Sequence, residues 1–288
     1  DNSLADSCIP LEVAMSGYSL GGRTLYPNIV QLTAGEFIFS CKGRRLDNYY
    51  YYTYSPWKVI DSNRDSLINQ LSEVVLSSMQ SLIDNANGRQ IVIPLSSGKD
   101  SRLIASALKY LGAKDVICFC YGLPNNFEEK ISQSVAEKLG YKWFSVHTLP
   151  KLQKEYFLSH EFDQYMSNSD TFGATPIILD LFAIHLIRQK GLISSDAIIV
   201  NGNTGDYLSG GHVSSKYGFL NHEKNVNNLQ SLDWTYFLNK NYSLWGVLRN
   251  NDNDNKIIDS FQQAVAERSL DIEIHGNNIH GIYDLMEL

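Results

Sequence analysis

From Gln90 to Leu95 the chain runs Gln-Ile-Val-Ile-Pro-Leu, apolar without alternation, the pattern of a strand covered on both faces of a parallel sheet. The period then changes. Leu103, Ile104, Ala107, Leu108 and Leu111 recur on one helical face from Asp100 to a stop at Gly112. Asp115 to Tyr121 reads as a second buried strand. Phe127, Ile131, Val135 and Leu139 follow at four-residue steps to Gly140, and Lys142 to Val146 as a third strand. Farther on, a loop-rich stretch from Glu161 to Thr175 precedes a helix from Pro176 to Lys190, whose proline suits a first turn. Ala197 to Asn201 is a further buried strand. Strands alternating with helices predict an α/β fold, a doubly wound parallel sheet with right-handed crossovers.

The flanks are different. Residues 1 to about 58 read as strand and turn, punctuated by Gly17, Gly21 and Gly22, with short strands at Gly35–Phe39 and Tyr49–Tyr54. Asp61 or Ser62 caps a long helix through about Ile83, with Leu67, Leu71, Val74, Val75 and Leu82 on its apolar face. Past His212, asparagine-rich connectors separate helices expected near Ser231–Leu238, Ile257–Leu270 and Ile279–Leu288. The expected domains are a small β unit over 1–60 and a nucleotide-binding domain over 61–288. A start at Asp1 without methionine and an end inside a helical pattern are what a longer, truncated protein would leave.

Composition narrows the function classes. With 288 residues, 43% hydrophobic and 19% charged, the chain can bury a large core, and no stretch approaches the ~20 apolar residues of a membrane span. The absence of a signal sequence points to the cytoplasm. Its 24 lysines and arginines are scattered under a net charge of −7, which argues against a nucleic-acid partner. Cys8, Cys41, Cys118 and Cys120 form no CxxC pair and read as reduced core thiols; the histidines have no metal-ligand spacing.

Between the first strand and its helix lies Ser96-Ser97-Gly98-Lys99-Asp100-Ser101. Amides of a helix N-terminus, a glycine permitting close approach, hydroxyls and an ammonium make this a phosphate cradle. It is not a Walker loop, because Ile93 stands where that motif needs glycine and Asp100 where it needs serine or threonine. It resembles S-G-G-x-D-S, the pyrophosphate loop of ATP pyrophosphatases, with Ser97 in place of a glycine. A second glycine-rich segment, Asn201-Gly202-Asn203-Thr204-Gly205-Asp206-Tyr207-Leu208-Ser209-Gly210-Gly211, follows the last strand. Together the two loops resemble the synthetase half of class B asparagine synthetases, whose second motif S-G-E-G-x-D-E-x-x-G-G is matched at Gly202, Gly205, Asp206, Gly210 and Gly211. Gly22–Ile29 and Leu32–Phe37 are similar to the closing strands of that family's glutaminase domain.

The resemblance implies a sheet of the adenine nucleotide alpha hydrolase-like (PP-loop) type and an ATP-dependent amidotransferase. A substrate carboxylate would attack the α-phosphorus of ATP, and ammonia would then displace AMP. It implies ATP and pyrophosphate binding by Leu95, Ser96, Ser97, Gly98, Lys99, Asp100, Ser101, Phe119, Tyr121 and Gly202. Asp100, Asp206 and Lys99 would be catalytic, with Asp100 and Asp206 as Mg2+ ligands. Expected partners are a small-molecule carboxylate acceptor and ammonia or a glutaminase that supplies it; a homodimer is one expected assembly. Departures from the family bear on the acceptor. Asn203 and Tyr207 replace two glutamates, Phe172-Gly173-Ala174-Thr175-Pro176 lacks the family's arginine, and no lysine follows Lys256. Neither replacement residue is a general base near neutral pH. The acceptor implied is a sugar acid, as in lipopolysaccharide or capsule synthesis, rather than aspartate. Alternatives are an ATP-binding protein without chemistry, or another pyrophosphate-loop ligase such as a tRNA thiolase or NAD synthetase, against which the N-terminal resemblance and the absent basic and paired-cysteine features weigh.

Overall fold

The computed structural model describes residues 8–53, 62–203, 205 and 234–267. They belong to two compact units, one drawn from 1–59, 167–176 and 213–288, the other from 60–166 and 177–212.

The second unit is built on a four-stranded parallel sheet. Its strands are β3 (Ile91–Pro94), β4 (Val116–Gly122), β5 (Lys142–His147) and β6 (Ile198–Ile199), in the spatial order β5-β4-β3-β6. Strand side chains alternate between two cores. Ile91, Ile93, Val116 and Cys118 pack with Ala86 of α2 (Arg64–Ala86), Ala105 and Leu108 of α3 (Lys99–Tyr110) and Ala136 of α4 (Phe127–Leu139). Val92, Ile117, Phe119 and Val146 pack on the other face with Ala183 and Ile187 of α7 (Leu181–Gln189). Helices on both faces explain why these strands lack alternation: both sides of the sheet are dry. The α/β doubly wound sheet read from the sequence is therefore present.

Order within the sheet places a switch point. The chain moves outward from β3 through β4 to β5, then returns to lay β6 on the opposite side of β3. Gln90 pins this junction: its amide donates to Asp115 at 3.0 Å and its carbonyl accepts from the Ser194 amide at 3.0 Å. Ligands of open α/β sheets bind beyond the strand ends at such a point.

Several boundaries differ from expectation. Asn63, not Asp61 or Ser62, caps α2 by accepting from the Ser66 amide at 2.8 Å. Only the C-terminal part of the α2 stripe is covered: Met79, Leu82 and Ile83 pack on the core, whereas Leu67, Leu71 and Val74 are exposed. The stretch expected to be loop-rich contains α6 (His160–Asn168), preceded by α5 (Pro150–Phe157). The helix expected from Pro176 begins only at Leu181, and just two residues of the 197–201 run pair as β6.

The first unit contains α1 (Ile9–Ser16), the antiparallel pair β1 (Glu36–Cys41) and β2 (Arg44–Tyr50), α8 (Trp234–Asn241) and α9 (Asn251–Glu267). Instead of strand and turn alone, the N-terminal region includes a helix. Proline near its start is tolerated, and Gly17 closes it in the left-handed region at φ 92°. Its apolar signature is broken because Glu12 sits on the buried face beside Ile9 and Met15. The Glu12 carboxylate accepts from the Arg23 guanidinium at 2.7 Å, the Leu20 amide at 2.9 Å and the Ser260 hydroxyl. Cys8, Met15, Leu20, Phe237, Leu238, Tyr242, Ile257 and Phe261 form the core of this unit. The second expected strand ends at Tyr50 rather than extending to Tyr54, and the helix expected over 279–288 lies outside the described residues.

Three cysteines are core thiols as expected, but Cys41 is exposed on β1; all four are free. Burial pushes the Cys118 thiol up to about 12 and raises that of Cys120. An unfolded thiol ionises near 8.5, so the stability gained by holding these groups neutral is intact below that pH and is lost as pH rises toward 12. Urea unfolding is therefore expected to show a lower midpoint at pH 10.5 than at pH 7, with a smaller difference in Cys118→Ala. An equal pH dependence in the variant would exclude this origin.

Candidate nucleotide site

The carboxyl ends of β3 and β6 open into a cleft of about 410 Å³. Its wall contains Leu95, Ser96, Asp100 and Ser101 from the first loop, Phe119, Cys120 and Tyr121 from β4, Glu128 from α4, Leu179 and Asp180 before α7, and Asn201, Gly202 and Asn203 after β6. The volume lies within the range of small-molecule sites.

Local chemistry shapes the first loop. Gly98 is extended (φ −66°, ψ 160°) and starts α3, whose first-turn amides at Lys99, Asp100 and Ser101 have no partner within the helix. The Ser101 hydroxyl accepts from the Ser96 amide at 3.1 Å and lies 3.1 Å from the Ser96 hydroxyl, whose oxygen accepts from the Gly98 amide at 3.0 Å. Ser97 donates to Glu128 Oε1 at 3.0 Å. These bonds hold the loop folded around the unpaired helix start. That start is the part that attracts an anion.

The two glycine-rich loops meet at Asp100. A Cβ placed on Gly202 would lie 2.9 Å from the Ser101 nitrogen and 3.0 Å from the Asp100 Cβ, and one on Gly205 would collide with the Asp100 carboxylate. Glycine at both positions lets the second loop lie directly against the first. Gly202→Ala is expected to cost about 1–3 kcal/mol, because the added Cβ presses on the Asp100 and Ser101 backbone at the start of α3, and to weaken ATP binding. Urea unfolding and nucleotide titration of the variant check both effects. Unchanged values would mean that the loops separate freely.

Not every expected residue reaches the cleft. Leu95, Ser96, Asp100, Ser101, Phe119, Tyr121 and Gly202 line it; Ser97 borders it through Glu128; Gly98 and Lys99 are exposed and do not line it. Asp206, with Tyr207, lies outside the described residues, next in sequence to the Gly205 that abuts Asp100. Among the described residues, no three acidic, histidine or cysteine side chains cluster closely enough to hold a metal ion by themselves. A Mg2+ ion needs no such cage: one or two carboxylates suffice when phosphate oxygens and water complete its shell. Asp100 suits that requirement, since its carboxylate accepts no hydrogen bond among the described residues.

Glu128 and Asp180 are the cleft residues that sequence reading missed. Glu128 looks like one of two acids in a helix first turn, beside Glu129, a placement that the helix dipole alone explains. Asp180 precedes α7 yet makes no side-chain cap; its carboxylate instead accepts a hydrogen bond from the Tyr121 hydroxyl. Burial first, and then this bond, raise the Tyr121 phenol well above its ordinary value and keep it the donor.

Fold and cleft thus define an α/β protein with an open cleft at a sheet switch point, walled by a helix start and carboxylates. No protein-family model matches the chain, and no curated protein matches its sequence. Among solved structures it is similar to an NH3-dependent NAD synthetase from Campylobacter jejuni subsp. jejuni NCTC 11168 in complex with the nitrate ion. The identity is 15% over 72% of this chain and 89% of that one, with a TM-score of 0.32. No helix among the described residues is long and apolar enough to cross a membrane.

Proposed function

We propose that this chain is an ATP-dependent, AMP-forming carbon–nitrogen ligase of asparagine synthetase type. The observation that supports it is the packing of Gly202 and Gly205 against Asp100, which joins a helix-start phosphate cradle to a second glycine-rich loop at one cleft. In this reading an acceptor carboxylate oxygen attacks the α-phosphorus, the bond to the β-phosphate oxygen breaks, and pyrophosphate leaves. Ammonia then adds to the acyl carbon, AMP departs, and a proton is lost to solvent, leaving an amide.

The chain's own groups act on charge and position. Amides of the α3 first turn face the departing pyrophosphate. Phe119, Tyr121, Leu95 and Gly202 form the wall against which adenine and ribose rest. Asp100 and Asp206 would hold Mg2+, which when bound supplies neutralisation of the phosphate charge. The acceptor we favour is a sugar acid of a surface polysaccharide.

A second reading, nucleotide binding without chemistry, is favoured by Asn203, an amide on the cleft wall that cannot take a proton from attacking ammonia. One pair of measurements separates the two. Calorimetry with ATP and Mg2+ is expected to show binding, and uronic acids or related carboxylates are expected to elicit ATP–pyrophosphate exchange. Binding with no exchange for any carboxylate would favour the second reading; no binding would exclude both.

A further inference from the structure

Helix α2 is apolar over more of its length than the second unit covers. Met79, Leu82 and Ile83 pack on the core, but in the first half of the helix Leu67, Ile68, Leu71 and Val74 are 45, 46, 55 and 62% exposed. At about 100° per residue, these four and the half-buried Val75 occupy one arc of about 120° centred on Leu71. The arc is not a solvated, charged face. From Ser66 to Ile83 the only charged residue is Glu73, which lies on roughly the opposite side of the helix. Contiguous exposed apolar surface marks an interaction site, and depletion of charge is the signature of an interface centre.

The positions are also symmetric. Ile68 and Val74 stand three residues either side of Leu71, and Leu67 and Val75 four residues either side, so the ridges Leu67-Leu71-Val75 and Ile68-Leu71-Val74 cross at Leu71. A face so arranged is complementary to itself, as a two-fold interface requires. We propose that it docks the same face of a second copy of this chain, α2 antiparallel to α2, with Leu71 on the two-fold axis. Leu71 then meets its own copy, Ile68 meets Val74 of the other chain, and Leu67 meets Val75. Charge agrees with this register. Glu73 falls opposite Asn69, Asp65 opposite Ser77 and Arg64 opposite Ser78, so no like charges meet, whereas a parallel pairing would set each charge against itself. An anionic lipid surface fits less well, because Arg64 is the single cation of α2 and forms no basic rim.

The test reads mass and position together on the 288-residue chain. Sedimentation equilibrium at micromolar concentration is expected to give twice the mass of one chain. Leu71→Glu, which sets two carboxylates on the axis, is expected to weaken association at least about thirtyfold, the scale of losing a central anchor. Its far-UV dichroism should match the parent's, since Leu71 is exposed in the single chain. A second pair of variants does not depend on that substitution folding. In a Cys41→Ser background, which removes the exposed native thiol, Leu71→Cys is expected to form a disulfide-linked dimer in oxidised glutathione, because the axis brings this position against itself; Glu73→Cys, on the far side, is expected to stay unlinked. A monomeric parent, a dimer that survives Leu71→Glu, linkage at position 73 as fast as at position 71, or α2 occupied instead by lipid vesicles or by a different protein would overturn the inference.

Discussion

Replacing Asp100 with asparagine is expected to lower ATP-dependent pyrophosphate release by about a hundredfold or more, the scale of removing one charge-stabilising group from a phosphoryl or acyl transfer site. Asp100 sits on the second residue of α3, its carboxylate accepts no hydrogen bond among the described residues, and Gly202 and Gly205 crowd against it. Asparagine keeps the shape and removes the charge. Stability should thus change little, and the loss should appear in the rate and in the Mg2+ concentration needed for half-maximal exchange. If exchange with Asp100→Asn stays within about twofold of the parent, a metal or catalytic role for Asp100 is excluded, and the aspartate serves only to seat the second loop.

Phe119→Ala is expected to destabilise the second unit by about 3–5 kcal/mol, measurable by urea unfolding. The ring is fully buried on β4, stacked 6.1 Å from Phe144 and tilted 6.2 Å from Tyr121, and packs with Val92 and Ile187. It belongs both to the core and to the cleft wall. Truncation therefore removes packing beneath the cleft as well as beneath the sheet. Phe119→Leu, which refills part of the volume, is expected to recover most of the stability while still widening the cleft, so a separate loss of ATP affinity in that variant would isolate the contribution to binding. A cost below about 1 kcal/mol for the alanine variant would mean that the site collapses around the gap.

How much of the site could be read in advance depended on how local its cause is. Ser96 to Ser101 announces itself because an unalternating strand, a glycine and an amphipathic helix are contiguous, and the helix start makes an anion cradle whatever surrounds it. Glu128 and Asp180 announce nothing. One stands among helix-start acids and the other after an apolar run, and only the strand order β5-β4-β3-β6 carries the ends of β4 and α7 to the mouth of β3. Lys99 shows the converse: its place in the motif suggests a cleft residue, yet the first helical turn aims it outward, and it is exposed. In the first unit, α1 escaped notice because Glu12 occupies its buried face, and a hydrophobic period cannot register a carboxylate whose partners, Arg23 and Ser260, lie 11 and 248 residues away.

The chain alone therefore determined the alternation of strands and helices, the dry parallel sheet and the glycine-containing loop at a helix start, because each follows from the spacing of neighbouring residues and the polarity of a helix start. Only the tertiary structure decided which strand lies beside which, that two loops a hundred residues apart meet on one aspartate, and that the wall opposite is acidic. Those outcomes depend on packing both faces of the sheet at once, and no short window of sequence contains that condition.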